Sequence, residues 1–110
     1  MVGASPKCFE VYWVVLDPTI GREIKKTRPC VIISPNEMNL HLATVIIAPL
    51  TSTLRGYPMR VIASIDGKQG EIVLDQIRSV DKKRLSSMLG KLSRKESTAV
   101  LSTLQEMFAT

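Results

Sequence analysis

Short apolar runs alternate along the chain with polar connections that carry glycine and proline, a pattern typical of small β-domains. In the first run, EVYWVVLD, neighbouring side chains point to opposite faces of a predicted strand. One face holds Tyr12, Val14 and Leu16, and the other holds Val11, Trp13 and Val15. Because both sets are apolar, we expect both faces of this strand to be at least partly buried.

Four more strands are predicted from the apolar runs that follow, at residues 30–35, 43–52, 57–64 and 71–80. The segment 18–29, which has a proline at each end and is broken by Gly21, is expected to be a loop. Residues 36–42 are expected to form a turn or loop.

Two connections carry turn signals. Asp66-Gly67 is a favoured hairpin pair, and Asp81 is placed to cap a short helical turn that ends at Arg84. The run 85–93 is ambiguous, because its apolar residues fit helical spacing while a glycine and several serines weaken a helix.

The last element is predicted to be an amphipathic helix. Ser93 and Glu96 have the spacing of a capping box. Five apolar side chains follow on one helical stripe: Val100, Leu101, Leu104, Met107 and Phe108. The elements together predict a mainly β (α+β) fold, in which a small, strongly bent antiparallel sheet or barrel carries a C-terminal helix. We expect a single domain over residues 1–110, with residues 1–8 frayed.

The composition adds a modest positive charge. Fifteen Lys and Arg against ten Asp and Glu give a net charge of +5, which favours a polyanion such as nucleic acid, or an acidic protein segment. Two cysteines are too few for a disulfide framework, and Cys30 is expected to be a buried free thiol. Neither a signal peptide nor a membrane span is predicted, so we expect a cytoplasmic protein without a membrane partner.

Several kinds of catalytic site are not indicated by the sequence. The single histidine, His41, rules out a two-histidine acid–base pair within one chain, and its predicted loop makes a solvated side chain the expected state. Cys8, Cys30 and His41 do not have zinc-ligand spacing. No phosphate-binding glycine loop and no carboxylate pair points to a metal site. We therefore expect neither a metal nor another cofactor.

Basic residues gather in front of the second strand, in REIKKTRP. Arg28 precedes Pro29, which favours an extended backbone, and its guanidinium matches two phosphate oxygens. A solvated arginine at the start of a strand would explain the same pattern. Lys25 and Lys26 are equally compatible with an ordinary solvated face.

Two further stretches have side chains that can contact a nucleotide. In PLTSTLRGYP, hydroxyls beginning at Thr51 and Ser52 precede Arg55, although such hydroxyls also satisfy the backbone of turns. In LDQIRS, Gln76 and Arg78 alternate along the predicted strand, so they are expected to share a face. An ordinary half-exposed strand is the alternative.

Three blocks of the sequence resemble the MazF/PemK/Kid family of toxin endoribonucleases, also called mRNA interferases. The blocks are DPTIGREIKKTRPCVIISPNEMN, VIIAPLTSTLRGYPMRV and GEIVLDQIRSVDKKRL, in the family's order and spacing. The resemblance covers about residues 9–108. Its strongest parts are the Gly21-x-Glu23 pair followed by the TRP motif at 27–29, and the PLTS motif at 49–52.

This resemblance implies a homodimer of SH3-like, CcdB/PemK-like barrels with a C-terminal helix, and it implies that residues 85–93 form a strand. Members of the family are toxins of type II toxin–antitoxin pairs that cut single-stranded mRNA at short sequences without a metal. Their antitoxins neutralise them by laying an acidic, extended segment over the RNA-binding surface.

The resemblance also implies a catalytic pair, Arg28 of the TRP motif and Thr51 of the PLTS motif. Glu23 matches a family glutamate close to the site, and Asp75 matches an aspartate that is catalytic in the Kid branch. That branch has an arginine where this chain has Val73, and its first loop has a histidine where this chain has Arg22. The Kid assignment therefore does not transfer whole.

In the expected mechanism, Arg28 stabilises the phosphorane and Thr51 orients the scissile phosphate. Either Glu23 or Asp75 is expected to be the base, provided that burial raises its pKa. Expected RNA contacts are Arg22, Lys25, Lys26, Ser52, Arg55, Gln76 and Arg78. Tyr57 is expected either to stack on a base or to lie in the core. A CcdB-like gyrase-binding toxin and a non-catalytic RNA-binding domain are the alternative functions.

Overall fold

The computed structural model describes residues 5–18, 20–24 and 26–109. Within those ranges the chain forms seven β-strands, two α-helices and two 3₁₀ turns. The strands are β1 (Glu10–Val15), β2 (Thr27–Ile32), β3 (Thr44–Thr51), β4 (Arg60–Ile65), β5 (Lys68–Val73), β6 (Arg78–Asp81) and β7 (Leu85–Lys91). The α-helices are α1 (Asn36–His41) and α2 (Arg94–Phe108), and the 3₁₀ turns are Leu74–Gln76 and Lys82–Arg84.

The strands form one curled antiparallel sheet in the order β4-β5-β3-β2-β1-β7. Strand β3 is its centre, because it pairs with β2 on one side and with two successive strands on the other. The first half of β3 pairs with β6, and its last two residues pair with β5. This change of partner curls the sheet into a half-barrel and confirms the predicted strongly bent, mainly β fold with a C-terminal helix.

Side chains from both faces of the central strands form two apolar cores. Val11, Val31 and Ala48 belong to the core that α2 covers, whereas Val14 and Cys30 belong to the core on the other face. Burial of both faces of β1 is therefore confirmed. Exposed side chains remain on β1 as well, namely Trp13 at 36% and Val15 at 42%.

Helix α2 begins with the predicted capping box, in which Ser93 Oγ accepts from Glu96 N while Glu96 Oε1 accepts from Ser93 N. The apolar stripe is buried only in part. Val100 is fully buried, and Leu104 and Met107 pack against the same core, while Leu101 and Phe108 are exposed. A helix lying against the edge of a small sheet buries a narrower stripe than the sequence spacing alone predicts.

The predicted strand 71–80 is wrong, because the 3₁₀ turn Leu74–Gln76 divides it into β5 and β6. The pairing register against β3 differs by three residues between β5 and β6. The turn Leu74–Gln76 takes up this difference. The predicted loop at 36–42 is also wrong, since residues 36–41 form α1. Strand β2 begins at Thr27, so the TRP motif lies in the strand and not in the preceding loop.

Four other local predictions are confirmed. Asp66 and Gly67 form the β4–β5 hairpin turn, both with positive φ, and Asp81 caps the turn Lys82–Arg84 by accepting from Lys83 N. Residues 85–91 form β7, and His41 is exposed.

Cys30 is fully buried, as predicted, and burial raises the pKa of its thiol to about 12. Its neighbourhood therefore keeps it protonated at neutral pH. The expected fraying is wrong for the described part of residues 1–8, since Pro6 is buried and Cys8 N donates to Asn36 Oδ1 at 2.7 Å. Residues 1–4 lie outside the described ranges. No helix in those ranges is long and apolar enough to cross a membrane.

Candidate active site

Strands β2 and β3 bring Arg28 and Thr51 to one cavity. Their ladder pairs Cys30 with Pro49, and continuing that antiparallel register by two residues places Arg28 opposite Thr51. Both side chains line a cavity of about 410 Å³, together with Ser52. The two motifs that lie far apart in sequence are thus joined by strand pairing.

The rest of this cavity has an apolar wall and a polar rim. Trp13, which pairs with Pro29 across β1 and β2, lines it with Leu50 and Leu89. The β4–β5 hairpin contributes polar side chains, namely Asp66, Lys68 and Gln69. An arginine, hydroxyls and an aromatic ring around one hollow suit a phosphate with an attached base.

A second hollow, of about 280 Å³, is formed by four of the other predicted residues. Its lining includes Glu23, Asp75, Gln76 and Arg78. Pro49 of β3 also lines it, two residues before Thr51, so the two hollows adjoin along the same strand. The structure therefore places seven of the predicted site residues in two neighbouring hollows, three in the first and four in the second.

Asp75 is tied to an arginine that the sequence analysis did not single out. Arg60 Nε donates to Asp75 Oδ1 at 3.0 Å and Nη2 donates to Oδ2 at 3.2 Å. This hydrogen-bonded Arg60 holds the pKa of Asp75 below its ordinary value, against the opposing effect of burial. The condition for Asp75 to act as a base, a raised pKa, is therefore not met here.

Glu23 is exposed and is held within its own loop, where Oε1 accepts from Ile20 N at 2.6 Å. It lines the second hollow and not the cavity of Arg28 and Thr51. Its carboxylate thus lies beside the cavity of the predicted catalytic pair and not in it.

Gln76 and Arg78 line one hollow, but not because they alternate on one strand. The 3₁₀ turn ends at Gln76 and β6 begins at Arg78, so that part of the prediction is wrong. Gln76 Oε1 accepts from Ile24 N at 2.9 Å, and Arg78 Nη1 donates to Leu16 O at 3.4 Å. Both side chains therefore hold the ends of the loop between β1 and β2.

The other predicted RNA contacts lie on the loops around these hollows. Arg22, Lys26 and Arg55 are exposed, and the side chains of these three described residues line neither hollow. Lys25 lies outside the described residues. Tyr57 is half exposed and not a core residue, and its ring centroid lies 5.8 Å from Arg55 Cζ.

Sequence reasoning missed Trp13, Arg60 and Glu71. Trp13 reads as one more apolar position on an alternating strand, and its place beside the TRP motif arises only from the pairing of β1 with β2. Glu71 is 1% exposed and accepts from the Arg60 guanidinium. Nothing in its local pattern distinguishes this buried carboxylate from a solvated strand residue.

No three His, Cys, Asp or Glu side chains come together as possible metal ligands anywhere in 5–18, 20–24 and 26–109. The free thiol of Cys30 lies next to Arg28, but its Sγ donates to Arg28 O at 3.6 Å and its raised pKa makes it a poor nucleophile. The polar groups that line the two hollows include the Arg28 guanidinium, the hydroxyls of Thr51 and Ser52, and the carboxylates of Glu23 and Asp75.

Comparison with known proteins shows the family of the chain. The family described as "PemK-like, MazF-like toxin of type II toxin-antitoxin system" matches residues 7–108. The endoribonuclease toxin MazF of Escherichia coli K12 is 33% identical over 75 residues, which are 68% of either chain.

Solved structures agree with the fold. MazF from Deinococcus radiodurans superposes with a TM-score of 0.86 at 24% identity, covering 98% of this chain and all of that one. A mycobacterial endoribonuclease in complex with its cognate antitoxin superposes with a TM-score of 0.79 at 25% identity, covering 93% of each chain. The chain belongs to the PemK-like, MazF-like toxins of type II toxin–antitoxin systems.

Proposed function

We propose that this toxin is an endoribonuclease that cuts single-stranded mRNA at short sequences, at the cavity that Arg28 and Thr51 line. The observation that carries the proposal is the meeting of these two side chains in one cavity, with Trp13 in its wall. The curated relatives of the chain are named endoribonucleases, which supports the same reaction class.

In the proposed reaction the 2′-oxygen of the ribose attacks the adjacent phosphorus, and the bond from phosphorus to the 5′-oxygen breaks. The guanidinium of Arg28 binds the non-bridging oxygens as negative charge builds on them; one such donor contributes about 3 kcal/mol of transition-state stabilisation. Thr51 Oγ1 donates to the same phosphate and orients it. The products are a 2′,3′-cyclic phosphate and a 5′-OH end.

A base removes the proton of the 2′-OH, and the leaving 5′-oxygen takes a proton from water. Glu23 is the better of the two carboxylates considered, because Arg60 occupies both oxygens of Asp75 and lowers its pKa. The loop that carries Glu23 borders the hollow next to the catalytic pair. No step in this scheme requires a metal ion.

The basic loops bind the rest of the strand. Arg22, Lys25, Lys26 and Arg55 contact phosphates, which position the RNA without reading it. Ser52, Gln76 and Arg78 lie in or beside the hollows where unstacked bases enter. Trp13 supplies a face on which a base stacks.

We further propose that the protein acts in the cytoplasm as a homodimer and that its antitoxin lays an acidic, extended segment over the same cavity. The net charge of +5 favours such a segment, and a structural relative is described in complex with its cognate antitoxin. Exposed Leu101 and Phe108 on α2 leave apolar surface for a second copy. Light scattering of the purified protein, alone and with its antitoxin, tests both partners.

The function is tested by incubating wild-type protein and Arg28→Ala with a long mRNA in EDTA and mapping the new 5′ ends. Wild type is expected to give discrete cuts with 5′-OH ends, and Arg28→Ala is expected to lose cleavage about 100-fold while remaining folded. Arg94→Ala removes the same charge from an exposed position at the start of α2 and should cut normally. Equal cutting by Arg28→Ala would reject the assignment, and RNA that is shifted in a gel but left intact by wild type would reject the nuclease itself.

A further inference from the structure

A buried carboxylate that the proposed chemistry does not use holds the loop after Thr51. Glu71 lies on β5, with its Cα opposite Thr51 of β3 and Ile62 of β4. Its residue is 1% exposed. A charge in such a position is retained only when other groups compensate it, so its partners indicate what it does.

The partners of Glu71 are two backbone amides of the segment 52–59, here called the β3–β4 loop, and the side chain of Arg60. Glu71 Oε2 accepts from Arg55 N at 2.9 Å and from Gly56 N at 2.7 Å. Glu71 Oε1 accepts from Arg60 Nη1 at 3.3 Å. One side chain thus fixes the middle of the loop to the strand that pairs with Thr51.

Arg60 extends the attachment to the next residue of the loop. Its guanidinium carbon lies 4.7 Å from the ring centroid of Tyr57, within the range of a cation–π contact. The side chain of Arg60 is 9% exposed, while Tyr57 is 50% exposed. The buried cation therefore supports one part of the ring and leaves the rest open to a ligand.

The same arginine connects the β3–β4 loop to the loop between β1 and β2. Arg60 binds Asp75 of the 3₁₀ turn, and Gln76 of that turn accepts from Ile24 N at 2.9 Å. Both loops that carry proposed RNA contacts are therefore anchored, through side chains, on one three-residue turn.

We infer that Glu71 is a positioning residue for RNA recognition, which holds the β3–β4 loop so that Arg55 and Tyr57 meet a nucleotide next to the scissile phosphate. The inference rests on the proposed function. Arg55 supplies a phosphate contact and Tyr57 a stacking face, so the ligand of this subsite is a nucleotide of single-stranded RNA. Holding the loop in advance removes the cost of ordering it when RNA binds.

The network is ionised under the conditions in which RNA binds. The Gly56 N–H, the Arg60 guanidinium and the Arg55 N–H together hold the pKa of Glu71 below its ordinary value, although burial acts in the opposite direction. At neutral pH the carboxylate therefore carries its charge and accepts all three hydrogen bonds.

Glu71→Gln distinguishes positioning from general electrostatics, because the two predict opposite changes in the binding of RNA. Removing a negative charge should by itself strengthen the binding of a polyanion. If Glu71 positions the loop, the variant instead raises KM for a cleavable oligonucleotide by about tenfold and changes kcat by less than about twofold, because the lost contacts are made to a flanking nucleotide and not to the reacting atoms. The dependence of log KM on log salt should also flatten by about 0.7 for a lost phosphate contact.

Hydrogen exchange shows directly whether the loop has been released. The amides of Arg55 and Gly56 should exchange faster in Glu71→Gln than in wild type, while amides in β1 and β2 keep their rates. Ile72→Val is the matched control, since Ile72 is the fully buried neighbour of Glu71 on the same strand and makes no bond to the loop. It should lose a similar amount of thermal stability and keep its KM.

Arg60→Gln is the second variant, in case Glu71→Gln does not fold; it leaves Glu71 in place and should also raise KM. A folded Glu71→Gln whose KM is unchanged or lower would overturn the inference. Where only Arg60→Gln folds, an unchanged KM or unchanged exchange of the Arg55 and Gly56 amides would overturn it. Failure of both variants to fold would overturn it too, because the network would then serve folding alone. If wild type cleaves RNA and Arg28→Ala does not, the proposed function stands whatever the result for Glu71. Absence of cleavage by wild type would overturn the function itself.

Discussion

Gly70 approaches Thr51 so closely that a Cβ added at Gly70 would lie 2.9 Å from the Thr51 carbonyl oxygen. Gly70 precedes Glu71, the residue that pairs with Thr51 in the β3–β5 ladder. Backbone-to-Cβ contacts under 3.0 Å are essentially not found in proteins, and no flexible side chain is available here to move away. The position of Thr51, the proposed catalytic threonine, thus depends on a residue without a side chain on the neighbouring strand.

Gly70→Ala is expected to push β5 away from β3 and displace Thr51. Overpacking of this kind costs about 1–3 kcal/mol of unfolding free energy, and a displaced Thr51 should reduce cleavage beyond what the lost stability explains. Urea unfolding and single-turnover cleavage measure the two effects.

Gly90→Ala is the control for that experiment, because a Cβ at Gly90 meets nothing within 4 Å. It should be close to wild type in both measurements. If Gly70→Ala matched Gly90→Ala in stability and cleavage, the close approach of the two strands would be wrong.

The hydroxyl of Thr51 can be separated from its shape. Thr51→Val keeps the volume and removes the oxygen that we propose orients the phosphate, so single-turnover cleavage should fall by more than about tenfold. Thr51→Ser keeps the oxygen and should retain most of the rate. The loss of the 3.2 Å bond from Thr53 N to Thr51 Oγ1 is a structural side effect, which thermal unfolding of both variants will measure. Similar rates for the valine and serine variants would remove Thr51 from the mechanism.

Trp13 is expected to bind RNA through its ring. Trp13→Leu keeps an apolar side chain against Pro29 but loses the face for a base, which is worth about 1–3 kcal/mol of binding free energy. Trp13→Phe keeps a ring and should bind nearly as well. Affinity for a non-cleavable analogue carrying a 2′-deoxy sugar at the cut site gives the comparison, and equal affinities of the leucine and phenylalanine variants would argue against stacking.

Because of the ion pairs of Arg60, the free energy of unfolding should fall as the pH is lowered. Asp75 and Glu71 have pKa values below those of the unfolded chain, so their stabilisation is fully present above about pH 5 and is lost as the pH falls through the lower, folded-state values. The difference in unfolding free energy between wild type and Arg60→Gln should therefore be largest at pH 7 and shrink towards pH 3. A difference that grew on acidification would contradict the pairing.

Local signals in the sequence were enough for most of the fold. The alternation in β1, the Asp66-Gly67 turn and the Ser93 capping box each act within a few residues, and all three are present. The division of 71–80 was missed because it arises from the changing register against β3, a relationship between strands that one segment does not contain.

The candidate site was also predicted only in part. The resemblance singled out Arg28 and Thr51, and pairing of β2 with β3 brings them together. Arg60 and Glu71 were missed because their roles depend on the contact between them and on the hydrogen bonds that Glu71 accepts from the backbone of the β3–β4 loop. Long-range contacts of this kind leave no local pattern in the sequence.

The place of Trp13 also gives the protein a built-in optical reporter. It is the single tryptophan of the chain, and its indole lines the cavity shared by Arg28 and Thr51. Fluorescence that is excited at the red edge of the near-ultraviolet absorption band therefore comes from this one side chain. With RNA and antitoxin bound at this cavity as proposed, unlabelled toxin is expected to signal the arrival of an oligonucleotide, or its displacement by antitoxin, as a change in fluorescence intensity or wavelength.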